Sequence, residues 1–118
     1  MYNGNLIEDK TFELAKTVVG VYRRLSGEKK EFVLSKQLLR AGTSVGANVA
    51  EAQRAQSKAD FISKMSIAQK EANEAKYWIR LLYDTDYLDD SSFDSLILQI
   101  DEILRLLGAI CKTSVANR

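Results

Sequence analysis

Proline and histidine are both missing from this chain, cysteine occurs once, and the positive and negative charges nearly cancel. Each absence narrows the field. Proline would remove a backbone donor and clash with the preceding turn, so its absence leaves long helices uninterrupted. Without histidine the commonest general base and the commonest metal ligand are gone. A single cysteine, Cys111, allows neither an internal disulfide nor a Cys/His zinc site within one chain. It falls in an apolar periodic stretch, where it reads as a small buried hydrophobe. Lys and Arg number 17 against 16 Asp and Glu, a net charge of +1. No global field therefore draws the molecule to nucleic acid or a membrane, and any basic surface must come from local clustering. No apolar run approaches the roughly 20 residues that span a bilayer, and the first ten residues show neither a signal core nor a cleavage-site pattern. A reducing cytoplasm is the expected location, with no membrane partner.

What is present is a helical periodicity. In the first segment, from Leu6 to Leu25, Phe12, Ala15, Val19 and Tyr22 form one apolar row and Leu14, Val18, Val21 and Leu25 its neighbour. Gly27 is placed to end that helix in the left-handed conformation. A second helix is expected from about Glu31 to Ala55, with Leu34, Leu38, Ala41, Val45 and Ala52 on one stripe. Ser57 and Asp60 resemble a capping box that restarts the chain. Beyond them Phe61, Met65, Ala68, Ala72, Ala75, Ile79 and Leu82 alternate spacings of four and three, the seam pattern of helices packed at shallow angles. Asp89, Asp90, Ser91 or Ser92 caps the last helix, which carries Leu96, Ile100, Ile103, Leu107 and Ile110. No segment sustains the period-two alternation of a strand. The expected fold is all-α, an antiparallel up-down-up-down four-helix bundle, with residues 1–118 forming one domain.

The second helix is odd in composition. Residues 41 to 50 are nearly all small and include Gly42 and Gly46, each costing about 1 kcal/mol relative to alanine in a helix interior. Such a cost points to another backbone approaching closely, either inside the bundle or at an outer surface. The flanking Arg40, Asn48 and Glu51 make the segment too polar for lipid.

Catalytic and metal-binding patterns are not found. Glu71 and Glu74 are spaced as in helical carboxylate metal sites, but those need a Glu-x-x-His pair. Lys70, four residues before Glu74, suggests an ion-paired solvated face instead. The glycines sit in a helical pattern and not after a strand, so there is no phosphate loop. No enzyme, metal or cofactor is expected. Positive charge does gather at Arg23, Arg24, Lys29 and Lys30, followed by Lys36 and Arg40, and again at Arg54 and Lys58. The candidate phosphate-contacting residues are Arg23, Arg24, Lys36, Arg40, Arg54 and Lys58. Interleaved Glu28, Glu31, Glu51 and Asp60 make a merely solubilising face the competing interpretation. Tyr77, Trp78 and Tyr83 are available as stacking platforms beside Lys76 and Arg80, or for burial at a helix or subunit contact.

The run Leu39-Arg40-Ala41-Gly42-Thr43-Ser44-Val45-Gly46-Ala47-Asn48-Val49-Ala50-Glu51-Ala52, then Ser57 to Met65, Ala68 to Glu74 and Tyr77-Trp78-Ile79, resembles the bacterial four-helix bundle family related to the 23S rRNA intervening-sequence protein. It is also similar to accessory proteins of diversity-generating retroelements. The resemblance implies an up-down bundle assembling as a homopentamer, with no catalytic residues. For the retroelement proteins it implies binding to nucleic acid and to a protein partner through a basic surface, which this nearly neutral chain lacks in net charge. Gly42, Gly46, Tyr77 and Trp78 are the candidate subunit contact. Two functions follow as expectations: an oligomeric RNA- or DNA-binding accessory protein, in which assembly multiplies modest basic patches, or a protein-interaction scaffold that binds no nucleic acid.

Overall fold

Apolar side chains three and four apart make one face of each helix insoluble on its own, and four such faces close around a common core. The computed structural model describes residues 4–117. It contains α1 (Gly4–Glu28), α2 (Leu34–Ala52), α3 (Lys58–Asp84) and α4 (Asp90–Ala116), with no strand among the described residues. The bundle is 47 Å long and about 20 Å across. Each helix packs on its neighbours in a ring, and the α1–α4 seam is the sparsest. None of the helices is long and apolar enough to cross a membrane.

Cross-helix pairs show the antiparallel register. On the α1–α4 seam Lys10 pairs with Glu102 at 3.1 Å, and Arg24 donates to Ser92 Oγ at 3.2 Å. Between α3 and α4 Lys76 meets Asp101 at 2.7 Å, and the Tyr83 and Phe93 rings stack 4.0 Å apart. Between α2 and α3 Lys64 meets Glu51 at 3.6 Å. In each case the later residue on one helix faces the earlier residue on the other.

The core follows the apolar stripes closely. In α1 the row Leu14, Val18, Val21 and Leu25 is buried together with Ile7 and Thr11, while Phe12 of the other row points outward. In α3 and α4 the whole 4-3 seam is buried except its outermost members, Phe61 and Ile110, which are half-buried. The two glycines of α2 are explained inside the bundle. A Cβ on Gly42 would lie 2.8 Å from Val18 Cγ2, and one on Gly46 would lie 3.2 Å from the Thr11 carbonyl oxygen. The α1–α2 pair therefore packs backbone against side chain and backbone against backbone.

Helix ends are held by specific groups. Ser57 Oγ accepts the Asp60 N–H at 3.0 Å, and the Asp60 carboxylate reaches back to the Gln56 N–H at 3.2 Å. Of the four candidates before α4, Asp89 is the cap, accepting the Ser92 N–H at 2.7 Å. Asp86, at φ 69°, ends α3: its N–H donates to the Tyr83 carbonyl and that of Tyr87 to the Leu82 carbonyl, a Schellman closure.

Two boundaries differ from the sequence expectation. Gly27 remains helical, and Lys30, at φ 56°, takes the left-handed position instead. The second helix spans Leu34–Ala52 and not 31–55, because Glu31 is spent on capping it. The Val33 and Leu34 N–H groups donate to Glu31 Oε2 at 3.0 and 2.9 Å, and the Ser35 N–H donates to Oε1 at 2.7 Å.

Two tests follow from this packing. Gly42→Val forces a methyl group into Val18 and should cost about 1–3 kcal/mol in urea unfolding, with Val18→Ala recovering part of it; equal stability of Gly42→Val and wild type would refute the close approach. Burial pushes the Glu31 carboxyl up, but the N–H groups of Leu34, Ser35 and Val33 outweigh it and hold it below its ordinary 4.5. A group lowered in the folded state stabilises above its unfolded value, and that stability disappears as pH falls through the folded value. Glu31→Gln should therefore lose about 1 kcal/mol at neutral pH, with the gap to wild type closing in acid; a gap independent of pH would contradict the capping role.

Candidate functional site

The six candidate phosphate contacts do not meet on one face. Arg23 and Arg24, in the last turns of α1, and Lys36, in the first turn of α2, lie at one end of the bundle. Arg54 and Lys58 flank the α2–α3 connection at the other end of the 47 Å long molecule. Arg54 borders a polar hollow with Glu51, Asp60 and Lys64. Lys58 stands at the mouth of an apolar slot formed by Phe61, Ile110 and Thr113.

Their surroundings are acidic. Arg40, 54% exposed at its side chain, is ion-paired to Glu74 and lies 3.6 Å from Glu71 Oε1 on α3. The partner of these carboxylates is thus Arg40 across the seam and not Lys70 along the helix. Glu71 is only 13% exposed, and its Oε1 accepts no hydrogen bond, so the Arg40 charge is what compensates it. At the Arg23 end, the α3–α4 turn brings Asp84, Asp86, Asp89 and Asp90 beside the α1–α2 turn. The Ser92 groups that Asp89 accepts hold its carboxyl low, and nearby Arg24 and Lys29 add to the effect. Arg24 and Lys29 of the basic cluster thus have an acid of the same chain nearby.

The candidate subunit contacts divide between interior and surface. Gly42 is buried against Val18. Gly46 is half-buried at the floor of an open groove of about 510 Å³ between α1 and α2, walled by Phe12, Ala15, Thr43, Ala47 and Ala50. Tyr77 is 58% exposed and meets the Trp78 ring edge-on at 5.0 Å. Trp78 is half-buried and donates its indole N–H to Glu74 Oε2 at 3.1 Å. It thereby joins Arg40, Glu71 and Glu74 in one α2–α3 cluster. Cys111 is half-buried; burial pushes its thiol up, against a smaller effect of Ser66.

The model of the 23S rRNA-intervening sequence protein family matches residues 5–109. The chain belongs to this family. Among solved structures it is similar to a protein of unknown function from the S23 ribosomal protein family of Bacteroides thetaiotaomicron. The two are 50% identical, with a TM-score of 0.90 over 92% of this chain and 97% of that one. No curated protein matches the chain.

Within the family fold, the Arg40 cluster is the feature that periodicity could not display. Arg40 and Glu71 are outward on their own helices by spacing, and only the α2–α3 register makes them partners. A sequence signal did exist: two carboxylates one turn apart with Trp78 in the next turn mark a polar edge along a seam. Removing the guanidinium leaves a largely buried acceptor without compensation. Arg40→Ala should therefore lower stability by about 1 kcal/mol, a modest value because Arg40 itself is half in water, and should do so much less in a Glu71→Gln background. Additive losses in the double variant would show that the two side chains are not coupled.

Proposed function

We propose that this protein is a non-catalytic interaction module that assembles with copies of itself and binds protein partners in the cytoplasm, without a cofactor. The observation that carries the proposal is that the six candidate cations form no single face: Arg23, Arg24 and Lys36 lie at one end of the bundle, Arg54 and Lys58 at the other, and Arg40 is matched by Glu71 and Glu74 of the same chain. An anionic polymer would have to displace Glu71 and Glu74 to reach Arg40 and could not follow the remaining cations along one face. Large apolar side chains, by contrast, stay open on helix faces, among them Phe12, Tyr77 and Leu98, the last 75% exposed. Scattered singly such residues are ordinary, but Phe12 borders an apolar groove. The non-catalytic reading rests on composition: no histidine and a single cysteine. The family resemblance implies that the self-contact closes rings of five.

A second reading, an RNA- or DNA-binding accessory protein, is favoured by one observation: Arg23, Arg24, Lys29, Lys30 and Lys36 share an end of the molecule. Assembly would repeat that end around a ring. Light scattering of the purified protein, followed by titration with mixed single-stranded RNA and duplex DNA at about 50 and 200 mM salt, separates the two. We expect an oligomeric mass and no binding at the lower salt. Tight binding that falls steeply with salt and weakens in Lys36→Glu would overturn the protein-interaction reading in favour of the second.

A further inference from the structure

The outer stripe of α1 carries features that the chain itself does not use. Asp9, Phe12, Lys16, Gly20 and Arg23 recur at spacings of three and four, and all five are exposed. Phe12, 64% exposed, has the Lys16 ammonium 5.6 Å from its ring centre. Gly20 lies in the interior of a helix, where glycine is disfavoured against alanine. A Cβ there would meet nothing within 4 Å. Gly42 and Gly46 are explained by close neighbours in the chain, and Gly20 is not. Asp9 and Arg23 have no ion-pair partner among the described residues, whereas Lys16 is held by Glu13 at 2.6 Å.

The stripe is also symmetric about Lys16. Asp9 and Arg23 lie at equal distances on either side of it, opposite in charge; Phe12 and Gly20 lie at equal shorter distances, one large and one without a side chain. We infer that α1 pairs antiparallel with α1 of a second copy, across a two-fold axis at Lys16. In that register Asp9 faces the partner's Arg23, and Phe12 covers the partner's Gly20, each contact occurring twice, as an isologous interface requires. Gly20 gives the aromatic ring room to lie against helix backbone. The two Lys16 side chains meet at the axis, and each is neutralised by Glu13 of its own chain. Such a contact closes after two copies, so it adds to a ring contact without replacing it. Five-membered rings joined through α1 hold ten copies, and the assembly has an even number of chains.

This inference rests on the self-association proposed above, and its test keeps the two apart. Lys16→Cys in a Cys111→Ser background places one thiol per chain at the axis. Mild oxidation should give a covalent pair on a non-reducing gel, while Asn73→Cys on α3, treated alike, should not. Asp9→Arg sets like charges face to face and should weaken pairing on the order of tenfold or more, and adding Arg23→Asp should restore it. An oligomer that neither cross-links at Lys16→Cys nor responds to the charge reversals would overturn the α1 contact and leave self-assembly standing. A monomeric wild type would overturn both.

Discussion

Val18 occupies the notch that Gly42 leaves, and the rest of the bundle is arranged around that contact. Because only the Val18 side chain stands between the two backbones there, the axes of α1 and α2 come closer than a pair of facing apolar side chains allows. Gly46 continues the approach one turn further, against the Thr11 carbonyl. The Thr11 hydroxyl turns back to its own helix, donating to the Ile7 carbonyl at 2.8 Å, so no polar group is stranded at the join. Two glycines weaken α2 as an isolated helix. Within the bundle their absent side chains are what permits dense packing, and the stability of the segment becomes a property of the pair.

The polar groups are organised by the seams that this packing creates. Arg40 links α2 to Glu71 and Glu74 of α3, Lys76 links α3 to Asp101 of α4, and Lys10 links α1 to Glu102 of α4. Each is partly exposed and contributes modestly alone. Together they commit Lys10, Arg40 and Lys76 to acids of the same chain. Cations that are divided between the two ends of the bundle, with Arg40 between them tied to acids, are poorly suited to a polyanion, whereas open apolar side chains beside uncommitted charges suit contact with protein.

Much of the fold was legible because its signals are local. Periodicity alone identifies the buried rows of α3 and α4, and residue type beside the start of an apolar pattern marks the Ser57 cap and narrows the last cap to residues 89–92, of which the structure selects Asp89. The misplaced boundary around residues 27–33 has a physical reason. Gly27 is the residue that enters the left-handed region at least cost, but Glu31 fixes the turn by gathering three N–H groups, which leaves Lys30 to adopt that conformation. The candidate site was less legible. Spacing shows which side chains share a face of one helix; it does not show which residues of another helix oppose them. Arg40 therefore looked like a free cation, and Gly42 was equally consistent with an outer contact and an inner one.

Amide hydrogen exchange across residues 41–49 tests the α1–α2 join most directly, since that segment has poor intrinsic helicity and is held only if the close packing is real. The account predicts that these amides exchange only through global unfolding, as slowly as those around Ile79 and Ile100 in the core. Faster exchange confined to residues 41–49, with α3 and α4 still protected, would mean that the glycine segment opens by itself and that the bundle does not depend on the contact between Val18 and Gly42.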